Sequence, residues 1–149
     1  MAEVAAMSHD LSYDLTIPVT GHDFLRAGEA ASRIKKVLQA LNLPPQVIRR
    51  ASISAYEAEM NIIIHAYRGQ LALKVTPEAL TLVAEDEGPG IQNIDLAMQE
   101  GYSTAPDEIR EMGFGAGMGL PNMKKSADRL TITSTVGQGT RVEIVIQLS

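Results

Sequence analysis

Residues 71–75 read LALKV and residues 80–85 read LTLVAE, with only TPEA between them. Near the end of the chain RLTITSTV, GQG and TRVEIVIQL follow one another over 129–148. Connections this short join antiparallel neighbours, so the sequence predicts two β-hairpins. In the last segment Val142, Ile144, Ile146 and Leu148 alternate with Arg141, Glu143, Val145 and Gln147, the period of a half-buried strand. A sheet with one apolar face needs a second layer, and the first half of the chain supplies it. Residues 22–42 carry Phe24, Leu25, Ala31, Ile34, Leu38 and Leu41 at helical spacing. Pro44 and Pro45 break that helix. Pro45 suits the first turn of the next one, which is expected to run to about Tyr67 and stop at Gly69. SYDLTIPV at 12–19 reads as a first strand, Ile94–Gln99 as a short helix and Leu120–Ala127 as a further helix. The order predicts an α+β fold. It is a two-layer α/β sandwich whose mixed, mostly antiparallel sheet is covered on one face by helices, rather than a doubly wound α/β fold.

The 149 residues, 45% of them hydrophobic, suit one domain with one core over 1–149, with disorder expected over 1–10. There is no cysteine, hence no disulfide and no thiolate metal site, which is compatible with a cytoplasmic location. No apolar run approaches the roughly 18 residues of a membrane span. The first residues, MAEVAAMSHD, lack the basic start of a secretory signal. A net charge of -5 without a Lys/Arg cluster argues against direct nucleic-acid binding. It leaves room for an anionic ligand held by backbone N–H groups.

Three stretches depart from plain core or turn sequence. In EAEMNIIIHAY (57–67), Glu57 and Asn61 lie four residues apart and therefore on one helix face. Asp86-Glu87-Gly88-Pro89-Gly90 follows a strand; alone it would pass for a tight turn. Gly113, Gly115, Gly117 and Gly119 alternate over seven residues directly before a helix, and each glycine costs roughly 0.5–1 kcal/mol relative to Ala. A glycine loop that opens a helix is an arrangement that holds phosphate. It is not a P-loop, because no Gly-Lys-Ser/Thr follows, and no βαβ unit makes it a dinucleotide fingerprint.

In this order the three stretches resemble the N, G1 and G2 boxes of the GHKL ATPase superfamily, and GQGT at 137–140 resembles its last motif. The resemblance covers nearly the whole chain. Within the superfamily the sequence is most similar to the anti-sigma-factor serine/threonine protein kinases. AMQEGYST and GMGLPNMKK lie nearest the switch-kinase branch, from which the chain departs by a longer insert, APDEIREMGFGA.

That resemblance implies a GHKL (Bergerat) ATP-binding fold using ATP and Mg²⁺. It implies that Asn61 ligates the metal through its amide oxygen and that Glu57 is the catalytic carboxylate facing the γ-phosphate. It implies that Asp86 accepts from the adenine amine, that Gly88, Gly90 and Ile91 shape the loop under the base, and that Thr140 adds a hydroxyl on the adenine side. Backbone at Gly115, Gly117, Met118, Gly119 and Leu120 would hold the phosphates under a lid over about 101–115, with Arg110 as a γ-phosphate contact. His65 continues the Glu57–Asn61 stripe but reads as structural. Lys124 and Lys125 read as surface cations, the triplet Asp107, Glu108 and Glu111 as a solvated face, and Met112, Met118 and Met123 as packing around the lid.

The implied function is phosphorylation of a serine or threonine on a STAS-domain antagonist protein, with exchange of partners that include a sigma factor or a phosphatase. The rival from another class is a nucleotide-gated module that sequesters a sigma factor with little catalysis; the intact Glu57 argues against it. A histidine-kinase domain or a topoisomerase ATPase needs further domains for which 149 residues leave no room. Relatives that dimerise imply a homodimer through the first strand and helix.

Overall fold

Strand alternation sets the layers. The structure, a computed structural model, describes residues 12–100 and 119–148. Within them β1 (Tyr13–Thr20), β2 (Arg68–Val75), β3 (Ala79–Glu87), β4 (Arg129–Thr135) and β5 (Gly139–Gln147) form one sheet in the order β1-β2-β3-β5-β4. Both expected hairpins are present as β2–β3 and β4–β5. The sheet differs from the mixed one expected, because every neighbouring pair is antiparallel. The long connection does join two strands of the same direction, β3 and β4, but β5 inserts between them and no parallel pair results.

The helices are α1 (Glu29–Ala40), α2 (Pro45–His65), the single turn α3 (Ile94–Ala97, two residues shorter than expected) and α4 (Gly119–Ser126). α1 does not begin at residue 22. A 3-10 turn at Phe24–Arg26 comes first, and Gly28, in the left-handed region at φ 97°, separates the two. α2 ends because Ala66 turns extended, and Gly69 is not its stop signal. Gly69 lies in β2, where a Cβ would stand 2.6 Å from the Glu85 carbonyl oxygen; it is glycine because two backbones meet there.

Period two places Leu71, Leu73 and Val75 of β2, Leu80 and Leu82 of β3, and Ile144 and Ile146 of β5 on the covered face, all fully buried. Ile34 and Leu38 of α1, Ile62 and Ile63 of α2 and Met123 of α4 pack with them in one core. On α2 the buried residues Ala51, Ala55 and Ala58 keep that helix slim where its neighbours approach.

The same alternation builds the site. Continued by one step, the covered stripe of β3 passes from Ala84 to Asp86, that of β5 from Val142 to Thr140, and that of β4 from Ile132 to Ser134. Three apolar stripes thus end in polar side chains on the helix side of the sheet, with Ser134 directly opposite Thr140. No helix among the described residues is long and apolar enough to cross a membrane.

Candidate functional site

At the polar end of the sheet, Asp86 Oδ1 accepts the Thr140 N–H at 3.2 Å, and Asp86 Oδ2 has no hydrogen bond to a described residue. Burial pushes the Asp86 carboxyl above its ordinary value, and the Thr140 N–H pulls in the other direction. Ser134 Oγ accepts the Ile91 N–H at 2.7 Å and donates to the Gly139 carbonyl at 3.1 Å. Ser134 Oγ also lies 2.9 Å from Thr140 Oγ1, a hydrogen bond in which either hydroxyl can be the donor.

The G1 loop and the β4–β5 turn lock together. Gly88 N–H donates to Gln138 O at 3.0 Å and Gly137 N–H to Pro89 O at 2.8 Å. Gly90 has φ 76°, and a Cβ there would lie 2.6 Å from the Thr135 carbonyl oxygen. A Cβ on Gly139 would collide with the Asp86 carbonyl oxygen. DEGPG and GQGT are thus two halves of one backbone interlock that holds the Asp86 side chain.

The second half of the site is the α2 stripe. Glu57, Asn61 and His65 are each half-buried on one face of α2. The first turn of α4 stands against them: a Cβ on Gly119 would lie 3.2 Å from Asn61 Oδ1 and 3.7 Å from Glu57 Oε2. Asn122 Nδ2 donates to Glu57 Oε2 at 3.2 Å. Pro121 has no N–H to offer, so within the first turn of α4 the available donors are Gly119 and Leu120. Leu120 buries its side chain in the core and presents only backbone. At the other end of α4, Arg50 of α2 donates to Ser126 O at 2.9 Å and to Asp128 Oδ1 at 3.0 Å. Asp128 Oδ2 accepts the Gln147 N–H; that bond first, and Arg50 second, hold its carboxyl below its ordinary value.

These residues fit a magnesium nucleotide. The Asn61 carboxamide makes no hydrogen bond to a described residue, and the missing Cβ of Gly119 leaves space beside its oxygen. Among the described residues no group of three or more His, Cys, Asp or Glu can hold a metal unaided. Mg²⁺ commonly uses one or two protein oxygens together with substrate phosphates.

His65 is held below its ordinary value by burial and then by the nearby charge of His22, which favours the neutral imidazole. Lys125 pairs with Glu100 at 2.6 Å on the surface, and Lys124 is exposed. Met123 is fully buried in the core. Arg110, Gly115, Gly117 and Met118, with Asp107, Glu108, Glu111, Met112 and the expected lid, lie outside the described residues.

Three residues with contacts across the fold, two of them at the site, are not marked by the sequence alone. Glu59 of α2 is 2% exposed and accepts the N–H groups of Gly28, Ala30 and Ala31, capping α1 from outside. Its signal was a carboxylate about 200° round the helix from Glu57, on an apolar face. Ser134 was legible as the polar end of an alternating strand. Asn122 was legible as a poor helix former inside a helix.

A family profile described as histidine kinase-, DNA gyrase B- and HSP90-like ATPase matches residues 48–149. The chain is 31% identical over 100 residues to the serine/threonine-protein kinase RsbT of Bacillus subtilis strain 168, spanning 64% of this chain and 69% of that protein. It is 32% identical over 123 residues to an anti-sigma F factor of Caldanaerobacter subterraneus subsp. tengcongensis, spanning 78% of this chain and 82% of that one. Among solved structures it superposes on a chain of the SiaB–SiaC complex from Pseudomonas aeruginosa with a TM-score of 0.59, at 14% identity over 89% of each chain; this likeness shows the fold.

Proposed function

Because the chain belongs to the histidine kinase-, DNA gyrase B- and HSP90-like ATPase family, in its anti-sigma serine kinase group, we propose that it is a Mg²⁺-ATP-dependent protein serine/threonine kinase. Its acceptor would be a STAS-domain antagonist protein, with a sigma factor or a phosphatase as the alternate partner. The observation that carries the reading is the meeting of three groups at one point. Glu57, Asn61 and the first turn of α4 converge there, while Asp86 stands at the polar end of the sheet.

In this reading bound Mg²⁺ neutralises and orients the ATP phosphates. Asn61 would hold the metal through its amide oxygen. The Gly119 and Leu120 N–H groups would meet the phosphate oxygens, a role proposed also for Arg110 and the glycine loop, which lie outside the described residues. Asp86 Oδ2, the oxygen not bonded to Thr140, accepts from the adenine exocyclic amine. Gly88, Gly90 and Ile91 would keep the backbone beneath the base, and Thr140 would add a hydroxyl contact beside it. Glu57 takes the proton of the serine or threonine hydroxyl as that oxygen bonds to the γ-phosphorus and the bond to the β-phosphate oxygen breaks, leaving ADP. A positioned general base of this kind contributes about 10²–10⁴-fold.

The sequestering module stays as the second reading, favoured by the similarity to a protein named as an anti-sigma factor. Incubation of the chain with Mg-ATP and a STAS acceptor, followed by intact mass measurement, separates the two. One added phosphoryl group on the acceptor supports the kinase. A nucleotide-dependent complex with a sigma factor, with no acceptor modified, supports the module.

A further inference from the structure

Asn122 is the fourth residue of α4, a position where asparagine is a poor choice for the helix itself, because its amide competes for backbone groups. Its amide instead crosses to α2 and donates to Glu57 Oε2 at 3.2 Å, within hydrogen-bond range. One turn earlier, Gly119 brings the α4 backbone against the same carboxylate and against Asn61. The far end of α4 is tied to α2 by the two Arg50 bonds. α4 is therefore fixed to α2 at both ends, and its first turn holds one of the two Glu57 oxygens.

We propose that Asn122 is a positioning residue for Glu57. By holding Oε2 it selects one side-chain rotamer and leaves Oε1 as the oxygen that meets the incoming hydroxyl. It also links that orientation to the placement of α4, whose first N–H groups face the phosphates. A flexible glutamate otherwise samples several rotamers, and geometry lost at the reacting atoms is expensive in rate. The catalytic part of this inference rests on the kinase reading; the contact between the two side chains does not.

The test has two arms. In the nucleotide-free protein, the side-chain amide resonances of Asn122 are followed by nitrogen–proton correlation spectra in wild type and Glu57→Ala. A clear shift is expected, and unshifted resonances overturn the contact. In the second arm kcat, acceptor KM and ATP affinity are measured for Asn122→Ala, Asn122→Leu and Asn122→Asp. Losing a hydrogen bond to a charged group should lower kcat about 10-fold in the Ala and Leu variants, with KM and ATP affinity unchanged. Asn122→Asp is nearly the same size but sets carboxylate against carboxylate, so it should fall furthest. A merely structural role would rank the variants by shape, with Leu and Asp close to wild type, and that ranking overturns the proposal. Absence of transfer by wild type overturns the kinase reading and the catalytic half of the inference together. Transfer that Glu57→Ala abolishes and Asn122→Asp leaves intact overturns the positioning role alone.

Discussion

Replacing Glu59 by alanine should destabilise the fold by roughly 3 kcal/mol, a figure set by the partners its carboxylate would leave behind. The carboxylate is 2% exposed and accepts three backbone N–H groups, from Gly28 at 3.1 Å, Ala30 at 3.2 Å and Ala31 at 2.9 Å. These are donors at the start of α1, where no intrahelical acceptor exists and where a negative charge is favoured. Each buried donor left without a partner costs about 1–3 kcal/mol, while relief of the buried charge returns part of the sum. Glu59→Gln keeps one acceptor oxygen and should lose about half as much. Domains of this kind are stable by about 5–15 kcal/mol, so both variants should still fold. Urea denaturation with matched slopes measures the difference. An alanine variant within about 1 kcal/mol of wild type, or a glutamine variant as damaged as the alanine one, would refute the assignment of Glu59 as a tertiary cap.

Gly139→Ala should break the interlock under Asp86, since its new methyl meets the Asp86 carbonyl oxygen; calorimetry should show a lower Tm, and titration a weakened ATP affinity. Asp86→Asn should lose most of the preference for ATP over GTP, because the amide oxygen keeps the Thr140 N–H and the NH2, a donor, then faces the base; competition binding of the two nucleotides checks it. Stability should fall on acidification below about pH 6.5. His65 is held below its ordinary value of 6.5, so the unfolded chain binds more protons and the His65 contribution, full above 6.5, is lost as pH falls through the folded value. His65→Gln should flatten this part of a stability–pH curve, and an unchanged curve would contradict it.

Strand alternation and two short connections were enough to read the antiparallel hairpins and the helix-on-sheet layering, because period two and connection length are local properties. The parity of the sheet was not local: whether β3 and β4 touch depends on where β5 inserts, which no window of sequence records. Gly69 misled for a related reason. Near a helix end a glycine suggests a stop, yet the same residue also serves where strands and helices crowd, as it does against Glu85. Glu57 and Asn61 were visible as polar groups on an apolar helix. Glu59 was masked because its partners lie about thirty residues away, at the start of another helix. Asn122 and Ser134 likewise have meaning only through contacts made across the fold.

In the proposed kinase the carboxylate of Glu57 takes the acceptor's proton. The most direct measurement is phosphotransfer from γ-labelled ATP with Mg²⁺ to a STAS acceptor, run for wild type and Glu57→Ala with ATP affinity measured for both. Label on the acceptor with wild type, a loss of about 10²–10⁴-fold with Glu57→Ala and equal ATP affinity are expected. Equal transfer by the two proteins would contradict the claim.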